Sequence, residues 1–244
     1  FNLRSIEYIQ KDIILKINKE IKNNKKIKLD IKSLILKNIN LSYESKYYNN
    51  KITILKNFNY EFKKGKIYGI YGKSGSGKSS LLNIISGLIK LKKGRILLNN
   101  KKIRNNDVKT YLQFSYATQD NVTINDNIIV NIKLDDKISE NEISNFKNLI
   151  KKFNLNKFLQ NFNNIDNLKS LSGMSGGEKQ RVNFIRAIYN NPDLILLDEP
   201  TSFLDKENEN KLFNFLKKIK KNKIIIITSH KIAQKKYFDK VINL

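Results

Sequence analysis

Two glycine-rich segments of this chain have residue types suited to binding phosphate. The first, GKSGSGKS, runs from Gly72 to Ser79 and satisfies the pattern G-x-x-x-x-G-K-[ST] in full. The second, GMSGGEKQRV, begins about a hundred residues later at Gly173 and is typical of a turn that opens a helix. Backbone N–H groups at a helix start attract phosphate. The sequence therefore raises the question of why one phosphate site would need both segments.

The first segment contains the groups that the phosphates of ATP require. Gly72, Gly75 and Gly77 let the backbone wrap around the phosphates with its N–H groups pointing inward. Lys78 is expected to reach the β- and γ-phosphates, and the Ser79 hydroxyl to bind Mg²⁺. The other residues expected to line the phosphates are Lys73, Ser74, Ser76 and Ser80.

A second group of candidate residues follows the apolar run LILL. This run predicts a strand buried on both faces, and Asp198 and Glu199 come directly after it. We expect Asp198 to hold Mg²⁺, directly or through water. Glu199 is then free to orient and deprotonate a water molecule that attacks the bound phosphate. A positioned base is typically worth about 10²–10⁴ in rate.

The only histidine, His230, directly follows the apolar run IIIITS. A strand there would lie parallel to the Asp198 strand, so His230 is expected at the edge where parallel sheets bind ligands. Gln119 similarly follows the strand-like FSYAT. His230 is therefore a candidate catalytic residue, whereas Gln119 carries no such indication on its own.

Hydrophobic patterning predicts how these residues are positioned. Antiparallel strands are predicted for SLILKNINLSY and ITILKNFNYEF, and a short strand, KIYGIYG, leads into the first glycine-rich loop. Helical spacing without strand signals marks residues from about 121 to 170. The apolar runs DLILLDEP and KIIIITSH, with the helix KENENKLFNFLKKIKK between them, predict a βαβ unit with parallel strands. The sequence thus predicts an α/β protein.

The first 30 residues form a separate segment with apolar residues at every third or fourth position. This spacing predicts an amphipathic helix. It is either a surface helix of the same domain or a connector from an upstream segment. Because the only methionine is Met174, we expect Phe1 not to be a natural start and the chain to be part of a longer protein.

Composition narrows the range of partners. The formal charge is +25, but only five of the 47 basic residues are arginine. Proteins that read bases favour arginine, so the charge indicates a solvated lysine-rich surface, and no specific nucleic acid is expected. The chain has no cysteine, which excludes disulfides and thiolate metal sites. No run approaches the roughly 18 apolar residues that a transmembrane helix needs.

Taken in order, these motifs resemble the nucleotide-binding domain of ABC transporters over about residues 38–244. They are the phosphate loop, the glutamine, the signature MSGGE, LLDEP, an SFLD loop and the histidine. MSGGE departs from the family's LSGGQ through Met174 and Glu178. The resemblance implies an ATPase domain over 31–244 with a P-loop NTPase (RecA-like) parallel sheet and an antiparallel β subdomain. It also implies an inserted α-helical subdomain at about 121–185.

The resemblance also implies an answer to the question of the two loops. In this family two such domains dock head to tail, and the signature of one closes over the ATP bound by the other. Ser175, Gly176 and Gly177 offer a hydroxyl, backbone N–H groups and a helix N-terminus to a γ-phosphate. Glu178 completes this signature, and Asp205 closes the SFLD loop, which communicates across the dimer. The second loop would therefore serve the partner's ATP.

Three further roles carry over from the family. Tyr43 matches the aromatic residue that stacks on adenine, with Tyr47 and Tyr48 as neighbouring alternatives. Gln119 matches the residue that touches Mg²⁺ or water and couples to the membrane domain. His230 matches the switch histidine at the γ-phosphate.

Several features are similar to exporters, namely TINDNI after the glutamine, the pair SHK, and the ending YFDKVINL. The acidic-glycine loop that exporters carry before the signature is poorly matched. The resemblance implies a membrane-associated ATPase domain on the cytoplasmic side, with a transmembrane domain upstream in the same chain. The alternatives are a soluble ABC-type ATPase that acts on nucleic acid or ribosomes, and a regulatory domain that does not hydrolyse ATP. The intact Lys78, Asp198, Glu199 and His230 argue against the regulatory domain.

Overall fold

The computed structural model describes residues 30–44, 51–103, 113–160, 162 and 171–244. The predicted connector lies outside this range except for Asp30, as do Tyr47 and Tyr48. The strands are β1 (Ser33–Glu44), β2 (Lys51–Lys63), β3 (Lys66–Tyr71), β4 (Lys93–Leu98), β5 (Lys101–Ile103), β6 (Phe114–Ala117), β7 (Leu194–Asp198), β8 (Ile224–Ser229) and β9 (Lys240–Asn243). The α-helices are α1 (Lys78–Ile85), α2 (Ile128–Lys133), α3 (Glu140–Lys152), α4 (Gly176–Tyr189) and α5 (Lys206–Ile219).

The chain divides into two compact units. The sheet unit comprises the described parts of 26–119, 192–200 and 213–244. The helical unit comprises the described parts of 120–191 together with 201–212. No helix among the described residues is long and apolar enough to cross a membrane.

The antiparallel sheet has the strand order β2-β1-β4-β5. The predicted pairing of the first two strands is confirmed, with Leu36 opposite Tyr60. The register shifts between Leu36 and Ile39, where Asn38 has a φ of 51°. Asparagine enters this left-handed region more readily than most residues. The shift therefore falls where the sequence tolerates it, and both Leu36 and Ile39 remain buried.

The parallel sheet has the strand order β6-β7-β8-β3-β9. Every residue of β7 and β8 is buried, which confirms the interpretation of their apolar runs. The predicted βαβ unit is also confirmed, because β7 and β8 are parallel neighbours with α5 between them in sequence. β8 lies between β7 and β3, so the strand before the acidic pair is not adjacent to the strand before the phosphate loop.

One apolar cluster in the sheet unit joins both sheets to α1. Phe62 and Tyr68 are almost wholly buried in it, with ring centroids 4.9 Å apart in an edge-on arrangement. The buried Tyr68 hydroxyl accepts the N–H of Lys63 at 2.5 Å, so its polar atom is satisfied. This packing fixes the ends of β3 and α1, between which the phosphate loop lies.

The helical unit has its own aromatic core. Phe146 and Phe153 of the α3 region are buried, and the Phe153 ring lies 5.1 Å from that of Phe184 on α4. Asn131 on α2 is also fully buried. Its side chain donates to the backbone carbonyls of Ile124, Asp126 and Asn127. A single polar side chain therefore anchors the chain that precedes α2.

Candidate active site

The phosphate loop connects β3 to α1 and needs glycine for two separate reasons. Gly75 and Gly77 have φ values of 78° and 98°, which other residues rarely adopt. A Cβ atom at Gly77 would lie 2.4 Å from Cγ2 of Ile54, and one at Gly72 would lie 2.2 Å from Oγ of Ser76. The loop is therefore limited by both backbone conformation and space.

Helix α1 begins in a way that leaves its N-terminus suited to an anion. No side chain caps it, and its first turn contains no acidic residue. Lys78 is buried, and its Nζ donates to the carbonyl oxygens of Gly72 and Lys73 at 2.9 and 3.1 Å. A positive charge and the positive end of the helix dipole therefore coincide in one loop.

Asp198, at the end of β7, is buried and bonded from both neighbouring strands. Its Oδ1 accepts the Thr228 hydroxyl from β8 at 2.5 Å. Its Oδ2 lies 3.5 Å from the Tyr116 hydroxyl of β6. Burial and the Asp198 charge raise the pKa of Tyr116 well above its usual value of 10.0, which keeps this hydroxyl a donor.

Glu199 follows with a left-handed backbone, φ 48°. Its N–H donates to Oγ1 of Thr228 at 2.9 Å. Its Oε2 lies 3.1 Å from Nδ1 of His230. The Glu199 side chain is 15% exposed and that of His230 is 57% exposed. Glu199 is therefore held through its backbone by Thr228 and through its mostly buried carboxylate by His230, at the ends of β7 and β8.

A cavity of about 560 Å³ brings together nine of the fourteen candidate residues that lie in the sheet unit. This volume lies within the usual range for small-molecule sites. Its walls come from the phosphate loop, from β2 and from the residues just after β6, β7 and β8. The lining residues are Ile54, Ser74, Gly75, Gly77, Lys78, Ser79, Ser80, Gln119, Glu199 and His230.

Some predicted site residues of the same unit do not line this cavity. They are Tyr43, Gly72, Lys73, Ser76 and Asp198. Tyr43 is 47% exposed on β1, whereas Ile54 of β2 lines the cavity although the sequence did not suggest it. The role of Tyr43 against adenine stays a prediction.

Two residues that line the cavity, together with Asp198, which does not line it, offer oxygen ligands that fit Mg²⁺. No group of three or more His, Cys, Asp or Glu residues in the described part of the chain could hold a metal alone. The oxygen donors are the Ser79 hydroxyl, the Gln119 amide and the Asp198 carboxylate, and Mg²⁺ prefers such oxygens together with substrate phosphates. Three protein oxygens leave positions on an octahedral ion for phosphate oxygens or water.

The signature segment begins α4 in the helical unit with a reciprocal cap. The Ser175 hydroxyl accepts the Glu178 N–H at 3.3 Å, and Glu178 Oε2 accepts the Ser175 N–H at 2.9 Å. Glu178 Oε1 also pairs with Lys157 at 2.6 Å. Burial opposes ionisation, but these bonds outweigh it and lower the pKa of Glu178. The spacing S-x-x-E predicts such a cap, which the sequence analysis did not use.

The SFLD loop packs on the start of α4. A Cβ atom at Gly177 would lie 2.9 Å from the carbonyl oxygen of Phe203, and one at Gly176 would lie 3.3 Å from its ring. The Phe203 N–H donates to Oε1 of the buried Gln180 at 2.9 Å. Asp205 accepts the Asn208 N–H at 2.7 Å, which fixes the first turn of α5. The two glycines are thus needed for the loop to approach the helix.

Thr228 and Tyr116 contact the acidic pair and were missed by sequence reasoning. The signal for Thr228 was a hydroxyl residue at the end of the apolar run IIIITS. Because β7 and β8 are parallel, this position is the register partner of Asp198. Tyr116 offered no comparable signal, since an aromatic residue in a strand is common.

Comparisons with known proteins identify relatives of this chain. A family model described as ABC transporter matches residues 55–202. The lipoprotein-releasing system ATP-binding protein LolD of Buchnera aphidicola is 35% identical over 211 residues, covering 81% of this chain and 89% of LolD. The glutathione/L-cysteine transport system ATP-binding/permease protein CydC of Haemophilus influenzae is 31% identical. The match covers 91% of this chain but only 38% of CydC.

Solved structures share the fold. The dimeric bacterial ABC transporter cassette MJ0796 has a TM-score of 0.71 and 28% identity, covering 86% of this chain and 94% of its own. A bacterial Atm1-family ABC exporter with ATP bound has a TM-score of 0.74 at 23% identity, covering 91% of this chain and 38% of its own, and shows the fold alone. The fold class predicted from the sequence is confirmed.

Proposed function

The chain belongs to the ABC transporter family, and from this premise we propose that it hydrolyses MgATP at two sites shared between two ATPase domains. ATP binding and ATP hydrolysis are properties of the family to which it belongs. The observation that carries the proposal is the cavity that brings Lys78, Gln119, Glu199 and His230 together.

In this proposal the phosphate loop binds the phosphates through its inward N–H groups, the start of α1 and Lys78. Glu199 accepts the proton of the attacking water, and its carboxylate is oriented by His230. Mg²⁺, when bound, neutralises charge that develops on the transferred phosphoryl group, with Ser79, Gln119 and Asp198 as its protein ligands. Asp198 is assigned to the metal and Glu199 to the water because Asp198 is enclosed, whereas Glu199 lines the cavity.

The signature segment has a different role in the proposal. Ser175, Gly176 and Gly177 begin a helix, which suits phosphate, but none of them offers a positive side chain or a carboxylate for a metal. They therefore complete a site that another domain's phosphate loop builds. The MJ0796 cassette, named as dimeric, supports pairing of this chain, and the head-to-tail arrangement is part of the proposal.

We further propose that ATP-driven pairing powers transport by a membrane domain, with the ATPase domain on the cytoplasmic side. Relatives that support export include the putative export ATP-binding/permease protein RP696 of Rickettsia prowazekii, which is 32% identical over 239 residues. That match covers 94% of this chain and 39% of RP696. It favours a membrane domain in the same chain, which we place upstream as part of the proposal. LolD, of which the match covers 89%, favours an alternative in which the membrane domain is a separate protein.

The test is size-exclusion chromatography of a Glu199→Gln variant with and without MgATP, at low and high salt. This variant should retain ATP without consuming it, so a shift from monomer to dimer only with MgATP is expected. Adding Ser175→Arg should abolish the shift while ATP binding persists. A Glu199→Gln protein that binds MgATP yet stays monomeric at both salt concentrations would count against the shared site.

A further inference from the structure

The hydroxyl of Thr228 in β8 contacts both Asp198, the last residue of β7, and Glu199, which follows it. Its Oγ1 donates to Asp198 Oδ1 at 2.5 Å and accepts the Glu199 N–H at 2.9 Å. The residue is fully buried. A hydroxyl has one proton to donate and lone pairs to accept with, so Thr228 uses both capacities on two consecutive residues.

The hydroxyl is unusual for its place in the strand. The preceding residues Ile224–Ile227 are all buried isoleucines, and valine or isoleucine would suit a buried strand as well as threonine does. Without the hydroxyl, Asp198 Oδ1 would lose this buried donor and the Glu199 N–H would lose its acceptor. Leaving buried polar groups without a hydrogen bond is costly in free energy. The strand itself does not need this hydroxyl, but its hydrogen bonds to Asp198 and Glu199 do.

The backbone of Glu199 gives this contact a second role. A φ of 48° is uncommon for any residue other than glycine and persists only where the surroundings hold it. The Thr228 bond holds the N–H of that same residue. His230 Nδ1 holds its carboxylate at 3.1 Å. The direction of the Glu199 side chain thus depends on a backbone conformation that Thr228 restrains.

We propose that Thr228 is a positioning residue for ATP hydrolysis, which orients the Asp198 carboxylate and locks the backbone of Glu199. This inference rests on the proposed function. It assigns Thr228 no contact with ATP or water, so Thr228 acts only through Asp198 and Glu199.

The test compares Thr228→Val, which removes the hydroxyl at nearly the same shape, with Thr228→Ser, which keeps it. Thr228→Ala removes the same hydroxyl by a second substitution. We expect the Val and Ala variants to lower kcat by about 10²-fold, the usual effect of a misplaced catalytic group. The KM for MgATP should change less than kcat does, because the phosphate loop is untouched and only the Asp198 ligand of Mg²⁺ is disturbed. The Ser variant should restore most of kcat.

A second readout needs no nucleotide. In the nucleotide-free protein, amide hydrogen exchange at Glu199 should accelerate by about tenfold in the Val variant, the effect of losing one hydrogen bond. It should remain slow in the Ser variant. Ser86→Ala is the matched control, since it removes a buried hydroxyl that donates to the Asn83 carbonyl at the end of α1. This control reports the stability cost alone.

The outcomes separate the inference from the proposed function. If the Val and Ala variants keep the parental kcat and a protected Glu199 amide while Glu199→Gln is inactive, Thr228 has no positioning role. The same conclusion follows if their loss of activity matches that of Ser86→Ala at equal loss of stability. If the parent protein itself does not hydrolyse MgATP, the proposed function fails instead.

Discussion

Glu199 Oε2 lies 3.1 Å from Nδ1 of His230, at the carboxyl ends of the adjacent parallel strands β7 and β8. Two residues that are thirty-one positions apart in sequence are thus brought together by one strand pairing. The histidine is the more exposed of the two. Both residues line the cavity, and in the proposed mechanism this pair deprotonates the attacking water.

Glu199→Gln should abolish most turnover without preventing ATP binding. The amide keeps the size of the side chain but cannot accept a proton, so kcat should fall by about 10²–10⁴-fold. Steady-state phosphate release gives kcat, and a fluorescent ATP analogue gives the affinity. Retained hydrolysis at the parental rate would remove Glu199 from the role of base.

Gly77→Ala should damage the phosphate loop more than Gly75→Ala does. Both positions have positive φ, which costs an alanine about 1–2 kcal/mol. A Cβ atom at Gly77 also collides with Ile54, whereas one at Gly75 meets nothing within 4 Å. We therefore expect Gly77→Ala to weaken ATP binding by at least about tenfold beyond the Gly75→Ala effect, an added cost of about 1.4 kcal/mol. Equal affinities in the two variants would show that the collision is relieved.

Asn131→Ala should destabilise the helical unit. The Asn131 amide donates to three backbone carbonyls and accepts the Ile124 N–H at 2.8 Å, all away from solvent. Losing these bonds should lower the free energy of unfolding by about 2–4 kcal/mol. Urea unfolding followed by circular dichroism measures this. Asn145→Ala, at an exposed position of α3, is the control, and its effect should stay within about 0.5 kcal/mol.

Stability should depend on the protonation of Glu142 in acid. Hydrogen bonds from Lys133 and then from Ser139 lower the pKa of Glu142 from 4.5 to about 2. Because the folded-state pKa is depressed, this stabilisation is fully present above pH 4.5 and is lost as pH falls through about 2. Glu142→Gln should therefore lose about 1 kcal/mol at pH 7 and show a smaller decline between pH 4.5 and 2. Glu140→Gln, in the same helical turn, should keep the parental decline.

The sequence predicted the elements of the site better than their arrangement. The parallel strands β7 and β8 were predictable because a strand buried on both faces must be apolar throughout. Their residues Asp198, Glu199 and His230 could therefore be placed at one edge. The position of β8 between β7 and β3 could not be predicted, since a crossover connection fixes handedness but not which strands become neighbours.

Contacts that depend on tertiary structure were also beyond the sequence. Thr228 meets Asp198 only through the register of two strands. Ile54 lines the cavity because β2 passes beside Gly77. Ser175 and Glu178 were interpreted only as ligand residues, although their spacing also predicts the cap that the structure contains. The cap itself was predictable, because the local signal was present.

The central claim is that the signature of one domain completes the ATP site of another, and a mixing experiment tests it most directly. Lys78→Ala disables the phosphate loop and keeps Ser175, whereas Ser175→Arg disables the signature and keeps Lys78. Each variant alone should be inactive. In an equal mixture, random pairing creates dimers with one intact site, so MgATP hydrolysis should reappear and rise with protein concentration. A mixture as inactive as its two components would contradict the shared site.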